Sequence, residues 1–494
     1  TKYFRYQLAT LPSTPLGNWT FWAEFRACDN LQAVYWLYNI TGEAFLLDLG
    51  NLLHEQSFNF IDMFLNRDHL TRFNSIHCVN LAQGLKEPVI YYQQKPEKSY
   101  IDAVKKGLAD IRKYNGQPQG MFGGDEGLHG NNPTQGSELC SAVELMYSLE
   151  KMMEITGDLT FTDHLERIAF NALPTQITDD FMNKQYFQQA NQIMITRHPH
   201  NFYEDAHHAA TDIIYGTRTG YPCCFSNMHQ AWPKFTQSLW YATPDKGIAA
   251  LAYSPSEVVA QVGDGHEISI IEDTYYPMDD KIRFTIRLSN SVKEVTFPFH
   301  LRIPEWCKGA AVTINGITDS INGGSDMAIL HRPWKDGDQV ILSLPMKVES
   351  SRWYENSVAI ERGPLVYALK MEERWMKKEF VGKERNQFGF DYYEVSSPTK
   401  WNYGILSATI EDLEKNSQVT IDPDKQSCDY FWNVRNAPIQ IKLKAKEMTS
   451  WRIYNEMTGP LPFSTSKSEQ PEEEIVLVPY GCTTLRISEF PVVR

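Results

Sequence analysis

The chain changes its hydrophobic period once, near Thr243-Pro244-Asp245, and this limits it to a helical unit followed by β-rich units. Before that point the apolar residues recur at helical spacing. Leu31 to Tyr38 is followed by Ile40-Thr41-Gly42-Glu43 and then by the periodic run Phe45 to Phe58. Val143 to Met153 is followed by Ile155-Thr156-Gly157-Asp158 and then by Phe161 to Phe170. Both copies read as helix, Thr-Gly-acid turn, helix: the glycine ends the first helix and the acid favours the start of the next. Asp48 and Asp163 fall at the same offset from their glycines. Repeated helical hairpins can pack as a bundle, a solenoid or a closed α/α toroid. The first ~240 residues therefore read as helical.

After the switch come short alternating stretches: Ala249 to Tyr253, Glu267 to Tyr275, Ile282 to Leu288, Val295 to Ile303, Ala311 to Ile314, Gln339 to Pro345 and Val358 to Leu369. Asn315-Gly316 is a hairpin signal. Strands at this spacing predict a β-sandwich. Lys377 to Asn402 is charged, aromatic and irregular, and reads as a loop or insertion. Strand character resumes at Ile439 to Ala445 and Glu474 to Val478, with a polar, acidic loop over Ser464 to Glu474. At 494 residues the chain exceeds one typical core, so two or three domains are expected.

Charge narrows the partners. A net charge of −14 argues against a nucleic-acid backbone. The 12 Trp and 25 Tyr suit sugar rings, although large cores use the same residues. Eight cysteines are too sparse for a disulfide framework in a chain of this size. No apolar run reaches the ~20 residues that cross a bilayer. No signal peptide is visible at Thr1, and the abrupt start reads as a mature or trimmed product. Periplasm and cytoplasm of a bacterium both stay open as compartments.

Four residues stand out as metal ligands: Glu138 and Cys140 in Gly-Ser-Glu-Leu-Cys, and the adjacent Cys223 and Cys224 in Tyr-Pro-Cys-Cys-Phe. Three thiols and a carboxylate can fill a tetrahedral zinc shell. Glu-x-Cys points both side chains one way only on extended backbone, which places the pair at the entry to a helix. Pro222 and Gly220 supply the bend that two neighbouring thiols need to reach one ion. The bland alternative is two buried thiols, a vicinal disulfide and a surface glutamate. Upstream lies Asp125-Glu126, flanked by glycines, where an exposed acid is commonly a solvated turn. His77 lies in an otherwise apolar stretch read as helix, where a hydrogen-bonded core histidine is the simple reading. His198, His200 and the His207-His208 pair precede the Cys pair in a polar loop and read as surface residues. Asn227 and His229 line a pocket or cap the helix that carries Trp232.

Gly-Gly-Asp-Glu, Glu138-Leu139-Cys140, Cys223-Cys224-x-x-Asn227 and Trp232-Pro233 together resemble glycoside hydrolase family 127, the β-L-arabinofuranosidases. Ala359-Ile360-Glu361-Arg362-Gly363-Pro364-Leu365-Val366-Tyr367 and the ending Val478-Pro479-Tyr480-Gly481-Cys482 extend the resemblance over nearly the whole chain. It implies an α+β multidomain fold: an (α/α)6 barrel followed by β-sandwich domains. The barrel falls on residues 1–242, a β-sandwich on 243–370, and a second sandwich region on 371–494 whose last strand returns to the first sandwich. The family has several helices before the segment matching Trp19 to Leu37, so this barrel lacks its first helices. The resemblance also implies zinc held by Glu138, Cys140, Cys223 and Cys224, with Cys223 as nucleophile and Glu126 as general acid/base. His77 matches a sugar-contacting histidine, and Asn227 is placed with it as a substrate-binding residue. Two departures from the family pattern are Leu139 in place of Thr and a short loop between Glu126 and Glu138. The expected chemistry is retaining hydrolysis of β-L-arabinofuranose, or a related furanose such as a pectin side-chain sugar, from an oligosaccharide or plant glycan. A carboxylate-based α/α-barrel glycosidase with a structural zinc, and a non-catalytic sugar-binding protein, are the competing readings.

Overall fold

The two Thr-Gly-acid segments fold alike. The computed structural model describes residues 1–494 except 19–20, 72–75, 201, 203–207, 290–291, 321–325 and 428–429. In it, Ala27–Thr41 ends on Gly42 at φ 66° and Leu139–Thr156 ends on Gly157 at φ 69°. The Gly42 and Gly157 N–H groups donate to Tyr38 O and Met153 O, each at 2.7 Å. Thr41 Oγ1 donates to Leu37 O at 2.9 Å, and Thr156 Oγ1 to Met152 O at 2.6 Å. Each threonine hydroxyl then accepts the N–H two residues on, from Glu43 and Asp158. A left-handed residue ends the helix and frees the chain to reverse, a conformation that glycine adopts without the clash of a Cβ. The following helices are Phe45–Gln56 and Thr160–Arg167.

The helical character does not run unbroken to residue 240. Between Thr160–Arg167 and Cys223–Gln237 lie irregular backbone and two-residue strands, among them Lys184–Gln185, Phe187–Gln188 and Tyr215–Gly216. Buried glutamines take over the hydrogen bonding there. Gln188 Nε2 donates to Ala172 O at 3.1 Å and Gln185 Nε2 to Ile213 O at 2.7 Å. Side-chain amides thus satisfy the buried carbonyls that a longer ladder would have satisfied.

Two sheets follow. Six strands order as Ser256–Val262, His266–Thr274, Lys281–Leu288, Gln339–Ser343, Ala311–Ile314 and Ile317–Ser320. Asp326–Trp334, Val295–Ile303, Ile248–Ala250 and Trp240–Ala242 form a second sheet. Lys281–Leu288 alternates exposed and buried positions, as a half-buried strand must. Phe284 from the first sheet meets Phe299 from the second edge to face at 5.2 Å, within the core. Asn315 (φ 49°) and Gly316 (φ 88°) make the expected two-residue turn. The stretch Val358 to Leu369 is two strands, Val358–Arg362 and Leu365–Leu369, which turn at Gly363 (φ 61°). They join an eight-stranded sheet with Ile439–Glu447, Glu472–Pro479 and the final Val492–Val493. Val492–Val493 pairs with Tyr403–Leu406, and Arg486–Ile487 pairs back onto Asn191–Gln192.

Residues 377–402 are not a loop. Arg374–Glu379 and Asp391–Ser396 form an antiparallel hairpin, joined by the helix Gly382–Phe388 and docked on Tyr215–Gly216. The charge that hid it belongs to an exposed edge strand, where lysines block further pairing. No helix among the described residues is long and apolar enough to cross a membrane.

Arg302, fully buried on Val295–Ile303, ties the first sheets to the helices. Its Nη1 lies 2.5 Å from Asp163 Oδ1 and its Nη2 2.5 Å from Glu166 Oε2. Tyr276 donates its hydroxyl to the same Glu166 at 2.7 Å. Arg302→Met leaves two carboxylates buried without their cation, so a loss of about 3–5 kcal/mol is expected. Urea unfolding of the variant against the parent reads this directly; a loss below about 1 kcal/mol would show that water reaches the pair.

Candidate active site

Three helices begin at one place. His77 is the N-cap of Cys78–Gly84, Glu138 the N-cap of Leu139–Thr156, and Cys223 the first residue of Cys223–Gln237 behind Pro222. The Leu139–Thr156 helix packs on the other two. Helix N-termini carry partial positive charge, so their convergence favours thiolates and carboxylates.

Glu138, Cys140, Cys223 and Cys224 come together as the sequence predicts, each offering a ligand atom within 4.8 Å of the others. Cys140 Sγ lies 2.9 Å from Cys224 Sγ and 3.6 Å from Cys223 Sγ. Two thiolates on one tetrahedral zinc would stand about 3.8 Å apart. Burial holds Cys140 and Cys224 well above the ordinary thiol range and pushes Glu138 up to about 8, where the Glu126 charge adds to it. Four acids this close ionise together only around a cation, so the donor set fits a zinc ion. Cys223 differs from its neighbours. It is exposed while Cys140 and Cys224 are buried, and hydrogen bonds from those two thiols lower it to about 3.

Glu126 sits at φ 75° between Gly123–Asp125 and Gly127–Gly130. It is not a solvated turn. Its carbonyl accepts Cys78 N–H at 2.7 Å, which fastens the hairpin to the Cys78–Gly84 helix. Its carboxylate accepts the Tyr186 hydroxyl at 2.5 Å and lies 3.0 Å from His77 Nε2. Burial opposes its charge, but the hydrogen bonds from His77 and Tyr186 outweigh burial and hold the carboxyl below its usual range. Asp125, the other half of the acidic pair, turns instead to His129 at 2.9 Å.

His77 is a cap on extended backbone rather than a core histidine inside a helix. Its Nδ1 accepts Asn80 N–H at 3.3 Å, so the proton of the neutral ring sits on Nε2, facing Glu126. His77, Glu126 and Glu138 offer ligand atoms within 4.8 Å of one another, so the acid and the thiol cluster are one continuous site. Asn227 stands half-buried one turn beyond the cysteines and accepts from Gln230 at 2.7 Å. It neither caps its helix nor contacts Glu126 among the described hydrogen bonds.

Sequence reasoning missed several residues. His208, read as a surface residue, is buried and places Nε2 3.7 Å from Glu126 Oε1. Burial disfavours its charge, but Asp212 on its Nδ1 raises it above the ordinary range. Its neighbour His207 lies outside the described residues. Cys78 donates to Glu138 Oε2 at 3.3 Å. Lys184 is fully buried, donates to Thr219 O and lies 4.7 Å from the Tyr186 ring. Its positive charge favours the Cys223 thiolate. No local sequence pattern marks these residues.

Comparison with known proteins points to one family. The family profile "Beta-L-arabinofuranosidase, GH127 catalytic domain" matches residues 1–237, and "Beta-L-arabinofuranosidase, GH127 middle domain" matches 247–346. A non-reducing end beta-L-arabinofuranosidase of Bifidobacterium longum subsp. longum is 26% identical over 249 residues. That match covers 48% of this chain and only 36% of the relative. The structure of a GH127 beta-L-arabinofuranosidase from Geobacillus stearothermophilus T6 superposes with a TM-score of 0.64 at 18% identity. It covers 94% of this chain and 72% of that one. A glycoside hydrolase structure covers 100% of this chain and 79% of its own, with a TM-score of 0.65 at 16% identity. The structural likenesses agree with this chain's order of a helical N-terminal region followed by β-rich domains. With both family domains matched in order, and the Glu-x-Cys and Cys-Cys segments meeting in one cluster, the chain belongs to the β-L-arabinofuranosidase family GH127.

Proposed function

We propose that this chain is a retaining β-L-arabinofuranosidase in which Cys223 is the nucleophile and Glu126 the general acid/base. One observation carries the reading: of the three clustered thiols only Cys223 is exposed, and Glu138 joins its cluster to the one that holds Glu126 and His77. Glu138, Cys140, Cys223 and Cys224 would hold the zinc ion, whose charge lets them ionise together and keeps Cys223 a thiolate near neutral pH.

The protein groups then divide the work. Cys223 attacks the anomeric carbon as the bond to the leaving oxygen breaks, and Glu126 gives that oxygen its proton. The sugar is left on sulfur with its anomeric centre inverted. Glu126 next removes a proton from water, water displaces sulfur, and the second inversion restores the starting configuration. Glu126 must be protonated for the first half and ionised for the second. The ionised state is the one its donors hold at rest, with His77 at 3.0 Å and His208 at 3.7 Å beside it. His77 and Asn227 are assigned to the sugar. The family names favour β-L-arabinofuranose at the end of an oligosaccharide or plant glycan; a related furanose is the variation the site would accept.

The test is hydrolysis of a chromogenic β-L-arabinofuranoside followed by NMR, with the β-anomer expected as first product. An α-anomer would remove the double displacement. Glu126→Gln should keep zinc and lose about 10²–10⁴-fold in kcat on substrates with poor leaving groups, and far less on nitrophenyl glycosides. Equal losses on both would move the acid to another residue.

A further inference from the structure

A cavity of about 1010 Å³ opens where the helical unit, the Arg374–Ser396 hairpin and the C-terminal segment meet, and it shares no lining residue with the Cys223 site. We propose that it is a second carbohydrate site, which holds a neutral oligosaccharide stretch of the glycan while the terminal sugar is cut elsewhere.

Trp375 is a built platform. Its Nε1 donates to Glu373 Oε2 at 3.2 Å, and the other oxygen of Glu373 accepts the N–H groups of Thr484 and Leu485 at 2.7 and 3.2 Å. The buried Tyr215 ring packs on the indole at 5.1 Å, and Tyr393 meets it edge-on at 6.0 Å. Yet 40% of Trp375 stays exposed, so a fixed aromatic surface is left bare toward the cavity. An indole fixed at its edge and open on its surface stacks on the C–H face of a sugar ring with little ordering cost. Trp432, braced on Phe170 at 6.2 Å, adds a second half-buried aromatic to the lining.

The polar lining complements hydroxyl groups. Asn433 Nδ2 donates to Asp179 Oδ2 at 3.0 Å, a planar donor–acceptor pair of the kind that brackets vicinal hydroxyls. Charge decides the class of sugar. Asp179, Asp180, Glu372 and Glu373 line the cavity against only Lys370 and Arg435, which disfavours a uronic-acid chain and leaves a neutral one. The volume is at the upper end of the roughly 300–1,000 Å³ of small-molecule sites, enough for several sugar units rather than one.

The inference rests on the glycosidase reading for the glycan it names and for the choice of probe. In full-length Cys223→Ala protein, calorimetry with a linear neutral arabino-tetrasaccharide should show binding that Trp375→Ala weakens by about tenfold or more, and that Trp375→Phe weakens by less than about threefold. Tetragalacturonate should not compete. Trp375→Ala alone should turn over a chromogenic mono-arabinofuranoside within about twofold of the parent. Unchanged tetrasaccharide affinity in Trp375→Ala, no binding in the parent, or equal binding of the acidic tetramer would each overturn the proposal. So would a parent dimer that Trp375→Ala converts to monomer, because a second copy would then fill the cavity. A chain that binds the tetrasaccharide through Trp375 but hydrolyses no arabinofuranoside would overturn the furanosidase reading and leave this one standing.

Discussion

Cys223→Ala is expected to lower turnover of a β-L-arabinofuranoside by about 10⁴–10⁶-fold, because it removes the atom that forms the covalent bond. The fold should survive the change. Cys223 is the exposed member of the cluster, so its loss opens no core cavity. Cys140, Cys224 and Glu138 stay in place to hold zinc more weakly. A structural thiol would behave in the opposite way, with stability lost and residual activity tracking the folded fraction. Alkylation gives an independent reading on metal-free protein. With Cys223 lowered to about 3, its thiolate is fully formed above about pH 4, so iodoacetamide labelling should be flat from pH 5 to 8. An ordinary thiol would slow about tenfold per unit below its pKa of about 8.5. Tenfold-per-unit labelling together with near-normal turnover in Cys223→Ala would rule out the thiolate mechanism and return the carboxylate-based alternative.

Cys140→Ser is expected to cut zinc content from about one per chain toward zero after dialysis. Cys140 is buried between Glu138 and the Cys223–Cys224 pair, and serine oxygen is a harder and poorer partner for zinc than thiolate. Binding at ~1,000 times Kd stabilises a folded chain by about 4 kcal/mol, so zinc removal should also lower the unfolding midpoint. The two effects share one cause, and a chelator should move the parent toward the variant while leaving the variant unmoved. A Cys140→Ser protein that still holds one zinc would place the ion on another donor set. Because the cluster that positions Cys223 is gathered around the ion, activity should fall with zinc content in both experiments.

The local chemistry of the site was legible before the fold. Glu138-x-Cys140 is expected at the entry to a helix and sits there: Glu138 is the extended N-cap at φ −73° and ψ 137°, but Cys140 is already helical, so the pair does not share extended backbone. The adjacent cysteines are expected beside a bend at Gly220 and Pro222; Gly220 sits at φ 58°, and the pair opens a helix behind Pro222. The two Thr-Gly-acid turns were equally readable, since a helix end is decided within about five residues by the φ that glycine alone adopts freely. The hairpin at 374–396 was not legible. An edge strand exposes most of its side chains, so its charge pattern matches that of a loop, and only pairing with Asp391–Ser396, itself docked on Tyr215–Gly216, makes it a strand.

What the sequence by itself determined is the period of each segment, the helix ends and the identity of the thiol and carboxylate donors, all set by neighbours within a turn or two. The tertiary structure decided which of those donors meet and in what charge state. His208, Tyr186 and His77 surround Glu126 from three separate segments, Asp125 turns away to His129, and Lys184 is buried with its charge near the cysteines. These contacts depend on how the hairpin, the glutamine-rich segment and three helix N-termini pack. Electrostatic coupling through a poorly solvated interior acts over distance in space, which sequence spacing does not encode.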